Sequence, residues 1–469
     1  MRGQAEPLYR QIYDRFRRAI SSGQLKPGDR LPSVRDLAEE FATARGTVDA
    51  AYAMLAGEGY VVSRGPAGTI VSPELNDVAA TEPIAGRRAS SAAYPPERAE
   101  PKPLQLGLPG LDVFPRKLWA HVVAREARRL SPADMTYPDP AGLRSLREAV
   151  AAYLASSRGI ACEWRQIVIT NGFQGGLNLV LRVLLRRGDR VWIEDPCFPP
   201  VRAALEFAGA ELTPVEVDTD GMDVSDGVRQ APNARIAVVT PSHQSPLGVS
   251  LSLSRRLALL HWANEADAYV VEDDYDSEFR FVGRPLPALK SLDREQRVIY
   301  AGTFSKTLFP SLRLGYLVVP DRLLNAVIEA STWQASGHCL MQQRIVAAFM
   351  TEGHFGRHLK RMRKLYAARR AALIDALNAK FGKRIEIESQ PGGMHLLVRF
   401  EGRAKDLDLA RLAQAAGFGA EPLSKRAIKH DFGQGLLLGF TNLPQSEAPR
   451  IAQSLRRALE PKMGVRSRH

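Results

Sequence analysis

From residue 104 onward, short runs of branched apolar residues alternate with stretches that repeat apolar side chains at helical spacing. This alternation constrains the fold more than any other feature of the chain. Ile167 to Thr170, Val191 to Ile193, Ile236 to Thr240, Tyr269 to Val271, Val298 to Ala301 and Leu314 to Val319 read as buried strands. Leu177, Leu181, Leu184 and Leu185 mark a helix after the first of them. The pattern predicts an α/β domain around a mostly parallel sheet. Polar residues or glycine stand where these runs end: Asn171-Gly172, Asp195-Pro196, Ser242-His243, Asp273-Asp274 and Ser305-Lys306. Ligands of such sheets bind outside the carboxyl ends of the strands. Residues far apart in the chain are therefore expected to converge on one crevice.

Lys306 is the chemical centre of that expectation. It follows a buried run, is flanked by Thr303, Ser305 and Thr307, and precedes Arg313 by seven residues. Burial disfavours the ammonium form, so a lysine there can lose its proton and attack an aldehyde. Thr303, Ser305 and Arg313 offer donors and positive charge for a phosphate. Together these residues suit pyridoxal 5′-phosphate held on Lys306 as a Schiff base. Asp273, at the end of a strand, can pair with a protonated pyridine nitrogen. Tyr275 can hydrogen-bond the phenolic oxygen, and Phe198 can stack on the ring. Gly172, Phe173 and Gln174 open a helix whose first N–H groups can cradle the phosphate. Taken singly, each has a plainer role: a surface lysine, a loop-capping aspartate, a buried tyrosine, a core phenylalanine. The full set carries the reading.

The first 72 residues follow another pattern. Leu8, Ile12, Phe16 and Ile20 recur every fourth residue, so Pro7 to Ser21 reads as an amphipathic helix. Lys26-Pro27-Gly28-Asp29 is a turn. Ser33, with Asp36 three residues later, resembles a capping box before a second helix that turns Leu37, Ala38 and Phe41 inward. Val48, Ala51, Tyr52 and Leu55 lie on a third helix ending at Gly57-Glu58-Gly59. Tyr60 to Ser63 and Thr69 to Val71 read as short strands around a glycine-containing tip. Three helices followed by such a hairpin make a winged helix-turn-helix.

This segment resembles the GntR-type DNA-binding domain. The matching stretches are Gly28-Asp29-Arg30-Leu31-Pro32-Ser33-Val34-Arg35-Asp36-Leu37-Ala38, Arg45-Gly46-Thr47-Val48, Ala51-Tyr52 and Glu58-Gly59-Tyr60. The resemblance implies that Arg35 and Arg45 meet double-stranded DNA and that Thr47 contacts phosphate at the start of the recognition helix. It also implies that Gly65 and Gly68 let the wing approach the minor groove. A helix N-terminus favours phosphate, and arginine reads guanine bidentately. Ala44 stands where the family usually has a serine cap, which weakens the cap by roughly 1 kcal/mol unless Thr43 substitutes. Asp49, if it faced DNA, would repel phosphate.

Prolines punctuate residues 73–103, and apolar periodicity is lost there, so this stretch reads as a linker between a reader (1–72) and the large domain (104–469). The net charge is +13, but the reader holds only +2, the linker −1 and the remainder +12. Positive charge therefore does not concentrate on the reader. Part of it lies in Arg357-His358-Leu359-Lys360-Arg361-Met362-Arg363-Lys364, which reads as a solvated helix face. Cys162, Cys197 and Cys339 are scattered and show neither a disulfide framework nor metal-ligand spacing, which suits a reducing cytoplasm. No apolar run reaches the roughly 18 residues of a spanning helix.

The large domain resembles the aminotransferase-like domain of the MocR (GabR-type) regulators, which join a GntR-type reader to a fold-type I aminotransferase domain. The resemblance covers nearly the whole chain. Its strongest marks are Glu272-Asp273-Asp274-Tyr275-Asp276-Ser277-Glu278-Phe279-Arg280 and the Lys306 segment, with 31 residues from Tyr275 to Lys306. Others are Tyr137-Pro138-Asp139-Pro140-Ala141-Gly142-Leu143-Arg144, Thr240-Pro241-Ser242-His243-Gln244 and Gly393-Met394-His395. It implies the roles given above for Lys306, Asp273, Tyr275 and Phe198, and places Arg313 near the phosphate. Two departures bear on activity. Leu437, in Gly435-Leu436-Leu437-Leu438-Gly439-Phe440, stands where aminotransferases commonly place an arginine for the substrate carboxylate. Ser245 replaces an asparagine that often precedes Pro-x-Gly beside the ring. The sequence thus favours a regulator that senses a small-molecule effector (an amine, an amino acid or pyridoxal phosphate itself) over a working aminotransferase with an attached reader. Two-fold DNA half-sites, and cofactor pockets that in this fold usually lie between subunits, predict a homodimer.

Overall fold

The computed structural model describes residues 7–65, 68–77, 100–283, 287–335, 339–388 and 390–463. The chain divides into two compact units, Met1–Ala99 and Glu100–His469. Most of the expected linker, residues 78–99, lies outside the described residues.

The first unit has helices Leu8–Ser21, Val34–Glu40 and Arg45–Gly57, then strands β1 (Val61–Ser63) and β2 (Thr69–Val71), paired antiparallel with Val61 opposite Val71. Ile12, Phe16, Leu37, Val48, Ala51 and Leu55 fill its core. Of the four-residue stripe on the first helix, only the middle two are buried. Leu8 is exposed and Ile20 half-buried, because that helix runs past both ends of so small a core. Ser33 caps the second helix by accepting the Asp36 N–H at 3.1 Å. Phe41 falls one residue beyond that helix yet still packs on the core. Arg30 adds a single bridge to Ile70 beside the hairpin, which the sequence reading did not anticipate.

The second unit is built on an eight-stranded sheet. Its strands are β3 (Ile167–Thr170), β4 (Arg190–Asp195), β5 (Glu211–Asp218), β6 (Gly221–Met222), β7 (Ile236–Val239), β8 (Tyr269–Asp274), β9 (Val298–Thr303) and β10 (Gly315–Val318). Their spatial order is β3-β10-β9-β8-β7-β4-β5-β6. The five-strand centre β9-β8-β7-β4-β5 is parallel, while β10 runs antiparallel to both its neighbours. A sheet covered on both faces needs apolar residues at successive positions. Val191 and Ile193 accordingly enter one core with Ile236, Val238 and Ile299, while Trp192 enters the opposite core with Ala237, Val239 and Val270. β5 was missed because its burial alternates, which makes a weaker signal than a continuous apolar run.

A second, antiparallel sheet comprises β11 (Ile385–Glu388), β12 (His395–Phe400), β13 (Glu421–Pro422) and β14 (Leu436–Gly439), in the order β11-β12-β14-β13. The 28-residue helix His354–Phe381 packs with the C-terminal helix Ala448–Met463 against it through a shared core. On the long helix Arg357, Lys360, Arg361, Arg363 and Lys364 are exposed while His358, Leu359 and Met362 are buried, so the basic run forms a solvated face. No helix among the described residues is long and apolar enough to cross a membrane.

Candidate functional site

The carboxyl ends of β8 and β9 open onto a cavity of about 220 Å³. Lys306 lies on its wall, in the turn that follows β9. Its Nζ donates to the Gly107 carbonyl at 2.9 Å. Burial holds its ammonium pKa below the ordinary lysine value. Asp276 and Asp273 oppose that shift, and Arg426 adds to it. The amine is thus poised toward the neutral, nucleophilic form. The backbone beneath is fixed from behind: His358 Nε2 donates to the Thr307 carbonyl at 3.0 Å.

β8 ends in three consecutive carboxylates, and strand geometry sorts them. Successive side chains point to opposite faces. Glu272 accepts the Leu289 and Lys290 amides, each at 2.8 Å. Asp274 accepts from Arg158 Nε at 2.8 Å and from the Tyr300 hydroxyl at 2.7 Å. Asp273, between them, reaches the cavity wall, and its Oδ1 is buried without a hydrogen-bond partner. Burial, aided by repulsion from Asp274, Asp276 and Glu194, pushes its pKa well above the usual carboxylate value, with Lys306 opposing. Tyr275 reaches the same wall, with its hydroxyl 2.9 Å from His243 Nδ1.

The remaining expected residues distribute as follows. Phe173, Gln174, Phe198, Thr303, Ser305 and Arg313 all line the cavity. Gly172 does not. It is buried as the first residue of helix Gly172–Leu184, and its positive φ of 69° turns the chain from β3 into that helix. The N-cap, Asn171, makes no side-chain cap bond, so the first N–H groups of the helix keep no intrahelical acceptor. Ser245 and Leu437, the two departures, also face the cavity.

These residues fit pyridoxal phosphate. Asp273 Oδ1 lacks the donor that a ring N–H supplies. Gln174, Thr303, Ser305 and Arg313 group donors and one cation, as a phosphate requires, beside a helix N-terminus.

Several wall residues had been given no role in the site: Leu106, Gly107, Arg426, and Met394 and His395 of the Gly393-Met394-His395 motif. Gly107 comes from the segment just after the linker. A Cβ there would lie 2.5 Å from Lys306 Nζ, and φ is +71°, so the position favours glycine. The segment is tied down from residue 102 onward. Asn442 Nδ2 donates to the Lys102 carbonyl at 2.9 Å, the Gly419 amide to the Pro103 carbonyl at 2.8 Å, and the Gly439 amide to the Leu104 carbonyl at 2.9 Å. The last two residues of the expected linker are therefore bonded to the second unit. Their local composition gave no sign of it. His395 donates from Nε2 to the Pro246 carbonyl at 2.9 Å, and burial with the neighbouring His243 lowers its pKa to about 4, so the ring is neutral. Among the described residues no group of His, Cys, Asp and Glu has metal-site geometry.

In the reader, Arg35 is exposed in the first turn of its helix and pairs with Glu39 at 3.3 Å. Arg45 is exposed as the first residue of Arg45–Gly57, with Thr47 half-buried behind it. Ala44 is the N-cap and no side chain caps that helix. The Thr43 hydroxyl makes no cap bond; its backbone amide donates to the Ala38 carbonyl at 2.9 Å. Asp49 is exposed. In the wing, Gly65 is exposed, and Gly68 has φ +88° with Arg30 Nε 2.9 Å from where a Cβ would stand.

The second unit, with its mixed sheet and its lysine and aspartate at adjacent strand ends, is an aminotransferase-type cofactor domain, and the first is a winged helix-turn-helix. Residues 113–418 match the family Aminotransferase class I and II, and residues 8–71 match Bacterial regulatory proteins, gntR family. The chain belongs to the MocR-type regulators, pyridoxal-phosphate-dependent transcription factors that combine these two domains. It is 37% identical over 463 residues to the probable rhizopine catabolism regulatory protein MocR of Rhizobium meliloti, covering 96% of this chain and 94% of that protein. It is 34% identical over 440 residues to the HTH-type pyridoxine biosynthesis transcriptional regulator PdxR of Corynebacterium glutamicum, covering 92% of this chain and 91% of that protein. Among solved structures, the kynurenine aminotransferase of Pyrococcus horikoshii in complex with PMP superimposes with a TM-score of 0.71 at 26% identity, covering 79% of this chain and 93% of that one.

Proposed function

We propose that this protein regulates transcription by coupling occupancy of the Lys306 cavity to operator binding by its reader, acting as a cytoplasmic homodimer. One observation carries the reading. In a chain that also bears a GntR-family reader, a single cavity brings together the Lys306 amine, the unpartnered Asp273 oxygen and the Gln174, Thr303, Ser305 and Arg313 cluster.

When bound, pyridoxal phosphate supplies an aldehyde to the amine and an electron-withdrawing ring. Lys306, with its proton loosened by burial, is the nucleophile. Asp273 would hold the proton on the ring nitrogen, Tyr275 and Ser245 would face the phenolic oxygen, and Phe198 would pack on the ring. Arg313, Gln174, Thr303, Ser305 and the helix start at Gly172 would hold the phosphate. Lys306 has one amine, so bonding to cofactor and the close contact with Gly107 compete. Gly107 lies four residues beyond Pro103, at the end of the linker from the reader. Occupancy of the cavity is thus felt where that linker joins the second unit. In the reader, Arg35, Arg45 and Thr47 meet DNA, with the wing at Gly65 and Gly68 in the minor groove.

Met135, Tyr137 and Trp333 are large apolar residues left exposed on neighbouring segments, which the Ser331 hydroxyl ties together through the Pro140 carbonyl at 2.9 Å. Covering them by a second copy of the chain supports the homodimer. Leu437 gives the cavity no guanidinium where aminotransferases commonly place one, so steady transamination of α-amino acids is not part of the reading.

The test uses the purified full chain. It is expected to bind pyridoxal phosphate with a visible absorbance band, and to bind its operator with an affinity that changes when small amines are added. Arg35→Ala and Arg45→Ala are expected to weaken specific DNA binding while leaving the band in place. Unchanged operator binding in both variants would contradict the reader assignment. A colourless wild-type protein would contradict the cavity assignment.

A further inference from the structure

His243 has no part in the roles described above, yet it touches a residue that has. Its side chain is buried, and its Nδ1 lies 2.9 Å from the Tyr275 hydroxyl and 3.1 Å from Asp276 Oδ2. Its seat is shaped around the ring. A Cβ on Gly393 would lie 2.2 Å from Cε1, and one on Gly248 would lie 3.0 Å from Nε2. The loop that carries it is closed on itself. The Gln244 amide donates to the Val249 carbonyl at 2.8 Å, and the Ser250 hydroxyl to the Ser242 carbonyl at 2.9 Å.

Asp276 is the second unusual group. It is 1% exposed, and neither of its side-chain oxygens has a hydrogen-bond partner. The approach of His243 Nδ1 is an ion-pair distance without hydrogen-bond alignment. His243 and Asp276 share a small cavity of about 20 Å³ with Arg158, Ser277 and Arg280. The charged and titratable groups around the His243 ring are therefore Tyr275, Asp276, Arg158, Arg280 and His395, whose ring centre is 5.8 Å away.

These contacts decide where the ring proton sits. A neutral imidazole carries a proton on one nitrogen and a lone pair on the other. A lone pair on Nδ1 would be repelled by the Asp276 carboxylate, whereas a proton there is attracted. With that proton on Nδ1, the Tyr275 oxygen accepts it across 2.9 Å. The charged imidazolium, protonated on both nitrogens, gives the same result. Tyr275 keeps its own hydrogen, because burial and then the Asp276 charge hold its pKa well above the usual phenol value. That hydrogen cannot return to His243, and is left for the cavity that Tyr275 lines.

We propose that His243, with its Nδ1 proton fixed by Asp276, is a positioning residue that turns the Tyr275 hydrogen toward the phenolic oxygen of the cofactor. This rests on the reading that the Lys306 cavity holds pyridoxal phosphate. Asp276 then acts on the cofactor through two side chains, His243 and Tyr275, rather than by contact.

The experiment records the visible cofactor band of the full-length chain, loaded with pyridoxal phosphate, against pH. The readout is the midpoint of its change. In the loaded chain the proton on the Lys306 nitrogen would lie beside the phenolic oxygen. A donor to that oxygen spreads its negative charge and lets the proton leave at lower pH. Asp276→Asn removes the charge that fixes the Nδ1 proton, so Nδ1 is free to accept the Tyr275 hydrogen. The midpoint is expected to rise by about one pH unit. Loss of the Asp276 charge alone acts the other way, because that charge opposes the effect of burial on Lys306 and helps it keep its proton. The sign of the shift therefore separates relay from direct charge. His243→Phe keeps a ring but no donor, and is expected to raise the midpoint by about half a unit. Adding Asp276→Asn to it is expected to give no further rise. The proposal is overturned by an Asp276→Asn midpoint at or below the wild type's, by an unchanged midpoint in His243→Phe, or by the same rise from Asp276→Asn in both backgrounds. A wild-type chain with no cofactor band refutes the underlying reading instead, so the two failures are distinct.

Discussion

Asp273→Asn changes one oxygen to an amide at nearly constant shape, and it acts in opposite directions on the empty and the cofactor-loaded protein. In the loaded protein the carboxylate would meet a positively charged ring N–H. Hydrogen bonds to charged groups contribute about 1.5–3 kcal/mol, so the variant is expected to bind pyridoxal phosphate about 10- to 150-fold more weakly. In the empty protein Asp273 is buried with Oδ1 unpaired, and burial and neighbouring carboxylates raise its pKa well above the usual value. A carboxyl whose pKa is higher in the folded than in the unfolded chain keeps its proton longer when folded. It therefore lowers stability as pH rises from the unfolded value through the raised one. Asparagine has no such proton to lose. Cofactor affinity is measured by absorbance titration, and the Tm of the cofactor-free protein by circular dichroism at pH 5 and pH 8. The variant's Tm is expected to gain on the wild type between those two values. A wild-type affinity in the variant, or a Tm difference that moves the other way with pH, would refute the reasoning.

Other perturbations follow from the same geometry. Ala44→Ser restores a cap to the uncapped helix Arg45–Gly57 and is expected to stabilise the reader by about 1 kcal/mol in urea unfolding. Arg158→Met strands Asp274 in the interior with the Tyr300 hydroxyl as its remaining hydrogen-bond donor; the expected cost is about 3–5 kcal/mol, read as lost Tm. Burial pushes the Glu194 carboxyl from 4.5 up to about 7. Stability is expected to fall as pH rises through that window, and Glu194→Gln to flatten the dependence.

The central strands were legible because a sheet covered on both faces demands continuous apolar runs, and Val298 to Ala301 or Ile236 to Val239 satisfy little else. Lys306 and Asp273 were legible for a related reason: each follows such a run, and the alternation of side chains along β8 sends one of three carboxylates toward the cavity. The positions of Gly107 and Arg426 were not legible. Gly107 arrives from just beyond the linker, held by bonds to Gly419, Gly439 and Asn442 more than 300 residues away. Arg426 is held by Glu421, five residues earlier, and by the distant Cys197 amide, which donates to its carbonyl. Neither leaves a local pattern in the sequence. The reader shows the converse: its hydrophobic spacing was clear, but the stripe extends past the core, so Leu8 matches the period without being buried.

The central claim is that Lys306 links the cavity to the reader. Its most direct test is operator affinity, measured by fluorescence anisotropy on a fragment selected with the wild-type protein, while pyridoxal phosphate is titrated into cofactor-free wild type and Lys306→Ala. The wild-type dissociation constant is expected to change by about 5- to 150-fold across the titration, and that of the variant to stay flat. Equal responses in the two proteins, or none in the wild type, would contradict the account.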